Sequence, residues 1–316
     1  MYNETITRSN LRLPRVALPW HLVGTAQRYV ITGGNAGLGY FTAELLAGLG
    51  AHVTIACRRL ERGQLAARSI EERVPGASVD IVLLDLADPE SIAHAAEALT
   101  RAPIDGFVAN AGVLPWERAR PTLQGYEPVF GTNLLGHFAL LAQVQGALAE
   151  DAGVVQLGSL SAKGQRLRVD DLMSERGRPS RFTIYGRSKL AVMTMAIEFD
   201  RRLRAAGRTQ RSVIAHPGYA TDELGPARPG VIRDPRNAAF RTAVRTFANS
   251  KLDGARITVE ALLRGESGTM WGPNGRVFGL GGAPTEQRLR GPVLDPETGA
   301  HLWAACEELT GVEFRV

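Results

Sequence analysis

The chain has 316 residues, 44% of them hydrophobic, with a formal net charge of +5 and two cysteines. That length and apolar content suffice for one large core. The charge comes almost wholly from arginine, since Lys163, Lys189 and Lys251 are the only lysines, and no basic run alternates with aromatic residues as a nucleic-acid track would.

Cys57 and Cys306, one in a predicted strand and the other in a predicted helix, suggest neither a disulfide framework nor a metal pair, and the six histidines share no ligand spacing, so no metal is expected. No apolar run reaches the roughly 18 residues of a membrane helix, and Glu4, Arg8, Arg12 and Arg15 leave no signal-peptide core. The expectation is a cytoplasmic protein with no membrane span and no nucleic-acid partner.

Residues 1–27 carry Pro14, Pro19 and Trp20 and are expected to form an irregular arm, either a strap over the domain or a subunit contact. The apolar run 29–31 then predicts a strand that stops at Thr32-Gly33-Gly34-Asn35-Ala36-Gly37-Leu38-Gly39 and restarts as a helix, which Gly50 ends. A glycine-rich turn between strand and helix lets the backbone approach a pyrophosphate, whose charge the free amides of the helix start attract. With a second strand following over 51–57, the turn predicts a bound dinucleotide, contacted by Thr32, Gly33, Asn35, Ala36, Gly37, Leu38 and Gly39.

The end of that second strand bears on the cofactor. NAD-preferring folds commonly place an acid there to accept from the ribose hydroxyls, whereas a 2′-phosphate needs a cation. Here Cys57-Arg58-Arg59 occupies the position, so NADP(H) is expected over NAD, with Arg58 offering its planar fork to the phosphate.

Strands over 79–84, 104–109 and 154–157 alternate with helices over 89–99, within 123–148, and over 183–203. That alternation predicts an α/β fold, a doubly wound parallel sheet flanked by helices in a single domain, with ligands at the strand C-terminal ends. Asp85-Leu86, Asn110-Ala111-Gly112 and Gly158-Ser159 stand at three of those ends. Tyr185 and Lys189 are four apart on a predicted helix and project from one face. A phenol titrates near pH 10, so an adjacent ammonium is expected to lower Tyr185 towards a value useful for acid–base work.

Thr32 to Gly39, Asp85, Asn110-Ala111-Gly112, Asn133, Ser159, Tyr185-x-x-x-Lys189 and Pro217-Gly218 occur in the order and approximate spacing of the short-chain dehydrogenase/reductase family, which the chain resembles from about Tyr29 to Val316. Ala56-Cys57-Arg58, Asn133-Leu134-Leu135-Gly136-His137-Phe138, Tyr185-Gly186-Arg187-Ser188-Lys189-Leu190-Ala191 and His216-Pro217-Gly218 resemble more specifically its retinol dehydrogenase and protochlorophyllide reductase branch. The resemblance implies a Rossmann-type fold and a catalytic set of Asn133, Ser159, Tyr185 and Lys189. In that set Tyr185 is the general acid/base, Ser159 polarises the substrate carbonyl, Lys189 also holds the nicotinamide ribose, and Asn133 keeps a water in a proton relay. Ser161 competes with Ser159, and the bland reading of Asn133 is an amide satisfied by neighbouring backbone. Asp85, Leu86, Asn110, Ala111, Gly112, Tyr185, Lys189, Pro217 and Gly218 are the further expected cofactor contacts.

The family's nicotinamide-binding threonine is matched by Thr221 one residue early, with Asp222 in its place. Residues 163–182 lengthen the chain between Ser159 and Tyr185 and are expected to form a loop near the site mouth. The core domain is expected over 28–316, with a substrate lid around 219–256 and candidate substrate contacts at Leu114, Trp116, Tyr219, Leu224 and Trp271. The implied function is NADPH-dependent reduction of a ketone or aldehyde on a bulky hydrophobic substrate, or the reverse oxidation. Alternatives are a biosynthetic enzyme that uses the same residues for epimerisation or elimination, and a non-catalytic NADP(H)-binding protein. Helices over 123–148 and 183–203 form a dimer interface in many relatives, so a homodimer is expected, although others in the branch are monomeric.

Overall fold

The computed structural model describes residues 27–115, 120–232, 238–275 and 279–316. The arm expected over 1–27, apart from Gln27, and Trp116 therefore lie outside the described residues, as does part of the lid at 233–237.

Seven strands run parallel: β1 (Arg28–Thr32), β2 (His52–Cys57), β3 (Ser78–Leu83), β4 (Ile104–Ala109), β5 (Leu148–Leu157), β6 (Arg211–Ala215) and β9 (Met270–Pro273). With β10 (Pro284–Gln287) pairing antiparallel to β9, they form one sheet in the order β10-β9-β6-β5-β4-β1-β2-β3. A separate two-stranded sheet joins β7 (Ala220–Thr221) to β8 (Asn249–Ser250). The nine helices among the described residues are α1 (Gly37–Gly48), α2 (Leu60–Arg73), α3 (Pro89–Leu99), α4 (Pro128–Phe130), α5 (Gly136–Val144), α6 (Arg181–Ala205), α7 (Ala238–Val244), α8 (Lys251–Arg264) and α9 (Pro296–Thr310). The strand order reverses between β1 and β4, and the crevice at such a switch point is where doubly wound sheets bind ligands.

Alternation along the buried strands supplies both faces. Val30 packs with α3, α5, α6 and α9, while Tyr29 and Ile31 face α1, α2 and α8. The fold bears out the doubly wound parallel sheet, with two differences from the sequence reading. The helix expected within 123–148 starts only at Pro128, because the Glu127 carboxylate accepts from the amides of Val129 and Phe130 and Pro128 suits the first helical position. It then runs through a π-helical turn, Gly131–Leu135, into α5. The strand expected over 154–157 begins at Leu148, which pairs with Ile104 across a register shift that polar residues before Gly153 conceal in the sequence.

Helix α9 lies against α5 and α6. Its Trp303 is fully buried, with its ring 5.2 Å from Phe138 on α5, 6.3 Å from Phe199 on α6 and 4.7 Å from Phe314. Arg202 of α6 covers the indole at 4.3 Å. The C-terminal helix of this chain thus occupies apolar surface on the two helices expected to meet a second subunit.

Candidate functional site

A cleft of about 730 Å³ opens at the strand ends between β1 and β4. The glycine turn forms its floor. Gly33 and Gly37 sit at φ 66° and 57°, and a Cβ on Gly39 would stand 2.4 Å from the Gly33 carbonyl oxygen, so the close-packed turn admits no side chain there. Helix α1 begins at this turn with no side-chain cap and no acid in its first turn, leaving its first amides facing the cleft.

Of the expected cofactor contacts, Gly33, Asn35, Ala36, Leu38, Gly39, Arg58, Asp85, Leu86, Asn110, Ala111, Gly112, Tyr185, Pro217 and Gly218 line this cleft, and so does Ser159. Thr32 stands behind the wall instead. Its hydroxyl oxygen accepts from the amides of Asn110 and Ala111, each at 3.0 Å, and the Asn110 side chain donates to the Thr32 carbonyl at 2.8 Å. The two residues tie the ends of β1 and β4 together. Thr221 faces elsewhere: its hydroxyl accepts from the Glu223 amide and caps the short 3₁₀ turn Asp222–Leu224.

A second cavity, about 330 Å³, adjoins the cleft beyond the end of β2 and is lined by Asn35, Ala36, Arg58, Arg59, Arg62 and Val231. Three arginines thus line one hollow. Arg59 and Arg62 become neighbours of Arg58 there because the chain turns into α2 directly after β2.

At the other end of the cleft, Tyr185 and Lys189 project from one face of α6, which Ser180 caps through the Thr183 amide. The Lys189 Nζ lies 5.9 Å from the Tyr185 ring centroid and donates to the Leu157 carbonyl at 2.7 Å. Burial pulls its ammonium down to about 8. Lys189 lines a smaller pocket of about 130 Å³ that Tyr185, Gly112 and Leu114 share.

The phenol itself departs from the sequence expectation. Burial holds Tyr185 above its ordinary 10.0, and the opposing influence is a hydrogen bond with Ser159 rather than the charge of Lys189. Ser161 backs that serine: its amide at 3.2 Å and its hydroxyl at 2.9 Å both donate to Ser159 Oγ. With its oxygen accepting twice, Ser159 keeps its own hydrogen free to donate into the cleft beside Tyr185. Ser161 therefore supports Ser159 through two bonds.

Asn133 falls in the π turn, a local irregularity frequent at functional sites. Its side chain accepts from the Val113 amide at 2.8 Å and donates to the Val113 carbonyl at 3.2 Å and to Ser188 at 3.3 Å, which is the backbone-satisfied reading. It also lies near Lys189, since a Cβ on Gly112 would lie 3.2 Å from Asn133 Oδ1 and 3.8 Å from Lys189 Nζ.

Among the substrate candidates, Leu114 and Tyr219 line the cleft and both are substantially exposed. Leu224 ends the 3₁₀ turn away from its lining, and Trp271 lies within β9, paired with Ala215 and packed on the core beside α8. Trp271 is thus absent from the cleft's lining.

These features converge with three comparisons. Residues 27–225 match the family described as short chain dehydrogenase. The chain belongs to the short-chain dehydrogenase family. It is 31% identical to retinol dehydrogenase 14 from Mus musculus over 90% of this chain and 85% of that protein, and 37% identical to retinol dehydrogenase 12 from Mus musculus over 62% of each. This chain thus spans less than two thirds of retinol dehydrogenase 12. A solved structure of a putative uncharacterized protein from Mycobacterium Paratuberculosis, 32% identical, superposes with a TM-score of 0.75 over 92% of this chain and 95% of that one. The similarity places this short-chain dehydrogenase in the retinol dehydrogenase-like branch.

Sequence reasoning missed two residues of this short-chain dehydrogenase. His137 is buried on α5, and burial pulls it down to about 4. Its Nδ1 meets the Asn133 carbonyl at 3.1 Å and so carries the proton, which leaves Nε2 to accept from the Thr32 hydroxyl at 2.8 Å. His137 thereby joins Asn133 to the strand ends under the cleft. The other is Lys251, which lines the cleft from α8 although more than 60 residues separate it from the Tyr185-x-x-x-Lys189 motif, so no local pattern announces it.

Proposed function

We propose that this chain is an NADP(H)-dependent oxidoreductase of the short-chain dehydrogenase family that interconverts a bulky apolar alcohol and its ketone or aldehyde. The observation that carries the reading is the placement of Ser159 and Tyr185 together at one end of a cleft, with Lys189 one helical turn along α6, and of the glycine turn at its other end. The residues fit a dinucleotide: glycines without room for a Cβ, uncapped helix amides and, beyond β2, the hollow of three arginines. The arginines support a 2′-phosphate and hence NADP(H).

Bound there, the cofactor supplies hydride and, when oxidised, a positive ring that favours phenolate at Tyr185. The chain's residues do the remainder. Tyr185 gives its phenolic proton to the substrate oxygen in reduction and takes it back in oxidation. Ser159, with its oxygen saturated by Ser161, donates towards the same oxygen and stabilises the charge that develops there. Lys189 lies under the phenol, and Asn133 fixes the loop after β4 through Val113. Leu114 and Tyr219 offer apolar surface at the mouth, which together with relatives named for retinol supports an apolar substrate.

The test is fluorescence titration with NADPH and NADH on wild type, Arg58→Ala and Tyr185→Phe, followed by turnover of bulky apolar aldehydes. The expected result is preference for NADPH that falls selectively in Arg58→Ala. Tyr185→Phe should keep its NADPH affinity and lose at least about a hundredfold in kcat. Binding of neither nucleotide, or undiminished turnover by Tyr185→Phe, would overturn the reading.

A further inference from the structure

We infer that Lys251 is a pyrophosphate-binding residue of the cofactor cleft, reaching over the glycine turn from the far side of the lid and held there by Asp222. The inference rests on the NADP(H) reading above and adds to it a contact that the glycine-turn motif does not contain.

The geometry comes from three elements. Pairing of β7 with β8 sets Thr221 opposite Ser250 and so brings Asp222 beside Lys251, the first residue of α8. Ser250 caps α8 through the Asp253 amide at 2.9 Å, and Asn249 accepts from the Gly282 amide at 2.9 Å and donates towards the Pro217 carbonyl at 3.4 Å. These three bonds fix the point from which the lysine leaves. Gly254 of α8 sits so close to α1 that a Cβ there would meet Leu38 at 2.8 Å. The start of α8 is therefore pressed against the start of α1.

From that point the side chain of Lys251 crosses the glycine turn. Its Nζ lies 3.4 Å, and its Cδ 3.6 Å, from where a Cβ of Gly37 would stand. The first amides of α1, which no side chain caps, thus face the same space as an ammonium group. A pyrophosphate on those amides would come within reach of Nζ. The ammonium has three N–H donors, one of them directed to Asp222 Oδ2 at 2.7 Å, so donors remain for phosphate oxygens.

Asp222 holds the lysine through one oxygen only, its Oδ1 having no partner among the described residues. The acid aims the ammonium across the turn, and its own negative charge opposes the phosphate that the lysine attracts. The composition is consistent with a selected role: of three lysines in a chain otherwise charged by arginine, two border the cofactor cleft and its neighbouring pocket. A compact ammonium fits above Gly37 where a broad guanidinium would crowd the turn.

The experiment is isothermal titration of wild type, Lys251→Met, Lys251→Arg and Asp222→Asn with two probes: NADP⁺, and 2′-AMP, which has the 2′-phosphate but no pyrophosphate. The expected result for Lys251→Met is NADP⁺ affinity about tenfold weaker, with 2′-AMP affinity within about twofold of wild type. Lys251→Arg should recover part of the loss, and Asp222→Asn should bind NADP⁺ as tightly as wild type or more tightly. NADP⁺ affinity unchanged in Lys251→Met, or equal weakening of both probes, would overturn the inference while leaving the NADP(H) reading standing. Equal weakening by Asp222→Asn and Lys251→Met would make the pair a structural latch and overturn it as well. Failure of wild type to bind either probe would bring down the NADP(H) reading and this inference with it.

Discussion

Arg228, in the chain after β7, is tied to Glu44 of α1, and breaking that tie has a calculable cost. Glu44 on α1 is fully buried and Arg228 is 3% exposed. The arginine bonds both carboxylate oxygens, Nε to Oε1 and Nη2 to Oε2, each at 2.9 Å, and Arg73 of α2 adds a third contact at 2.9 Å. Removing one partner of a buried pair costs about 3–5 kcal/mol, because the other charge stays desolvated. In Arg228→Met the carboxylate keeps Arg73, so the lower end applies and a loss of about 3 kcal/mol is expected. Glu44→Leu strands the Arg228 guanidinium and should cost more.

The double variant Glu44→Leu/Arg228→Met leaves only Arg73, which is partly exposed, and should return to within about 1 kcal/mol of wild type. Urea unfolding read as midpoint shifts at constant m measures all four proteins. The reasoning is refuted if Arg228→Met shifts stability by less than about 0.5 kcal/mol, or if the single losses simply add. The same turn, Arg228 to Ile232, carries Val231 into the three-arginine hollow and accepts from Arg62 at the Gly230 carbonyl. NADPH affinity should therefore fall along with stability in Arg228→Met.

Three further outcomes follow from the packing. His137 protonates near 6.5 in the unfolded chain and near 4 when buried, so as pH falls the unfolded state takes up the proton first and stability declines from pH 6.5 towards pH 4. The decline should reach up to about 3 kcal/mol and flatten in His137→Gln, as read by unfolding midpoints across that range. A wild-type profile parallel to that of the variant would refute the buried neutral imidazole. Because α9 covers apolar surface of α5 and α6, wild type should sediment as a monomer, and Trp303→Ala should lose about 3–5 kcal/mol through the cavity left among Phe138, Phe199 and Phe314. A stable dimer that survives dilution would contradict the first expectation, and an unaltered unfolding midpoint the second.

What the amino-acid order determines by itself here is whatever is local or strictly periodic. The glycine turn, the β–α alternation, the four-residue step from Tyr185 to Lys189 and the arginine after β2 need only neighbours in sequence to be legible, since backbone conformation and helix pitch set their geometry. The same chain hides what depends on distant segments meeting. Lys189 meets the Leu157 carbonyl, Asn133 the backbone of Val113, and His137 the Thr32 hydroxyl only once the fold is closed.

Charge and burial belong to that second group. Nothing in Tyr185-x-x-x-Lys189 reveals that burial raises the phenol and lowers the ammonium, because desolvation is set by everything packed around the pair. Likewise Lys251 reaches Gly37, and Arg228 reaches Glu44, across more than 180 residues of chain, through helix contacts that no window of sequence contains.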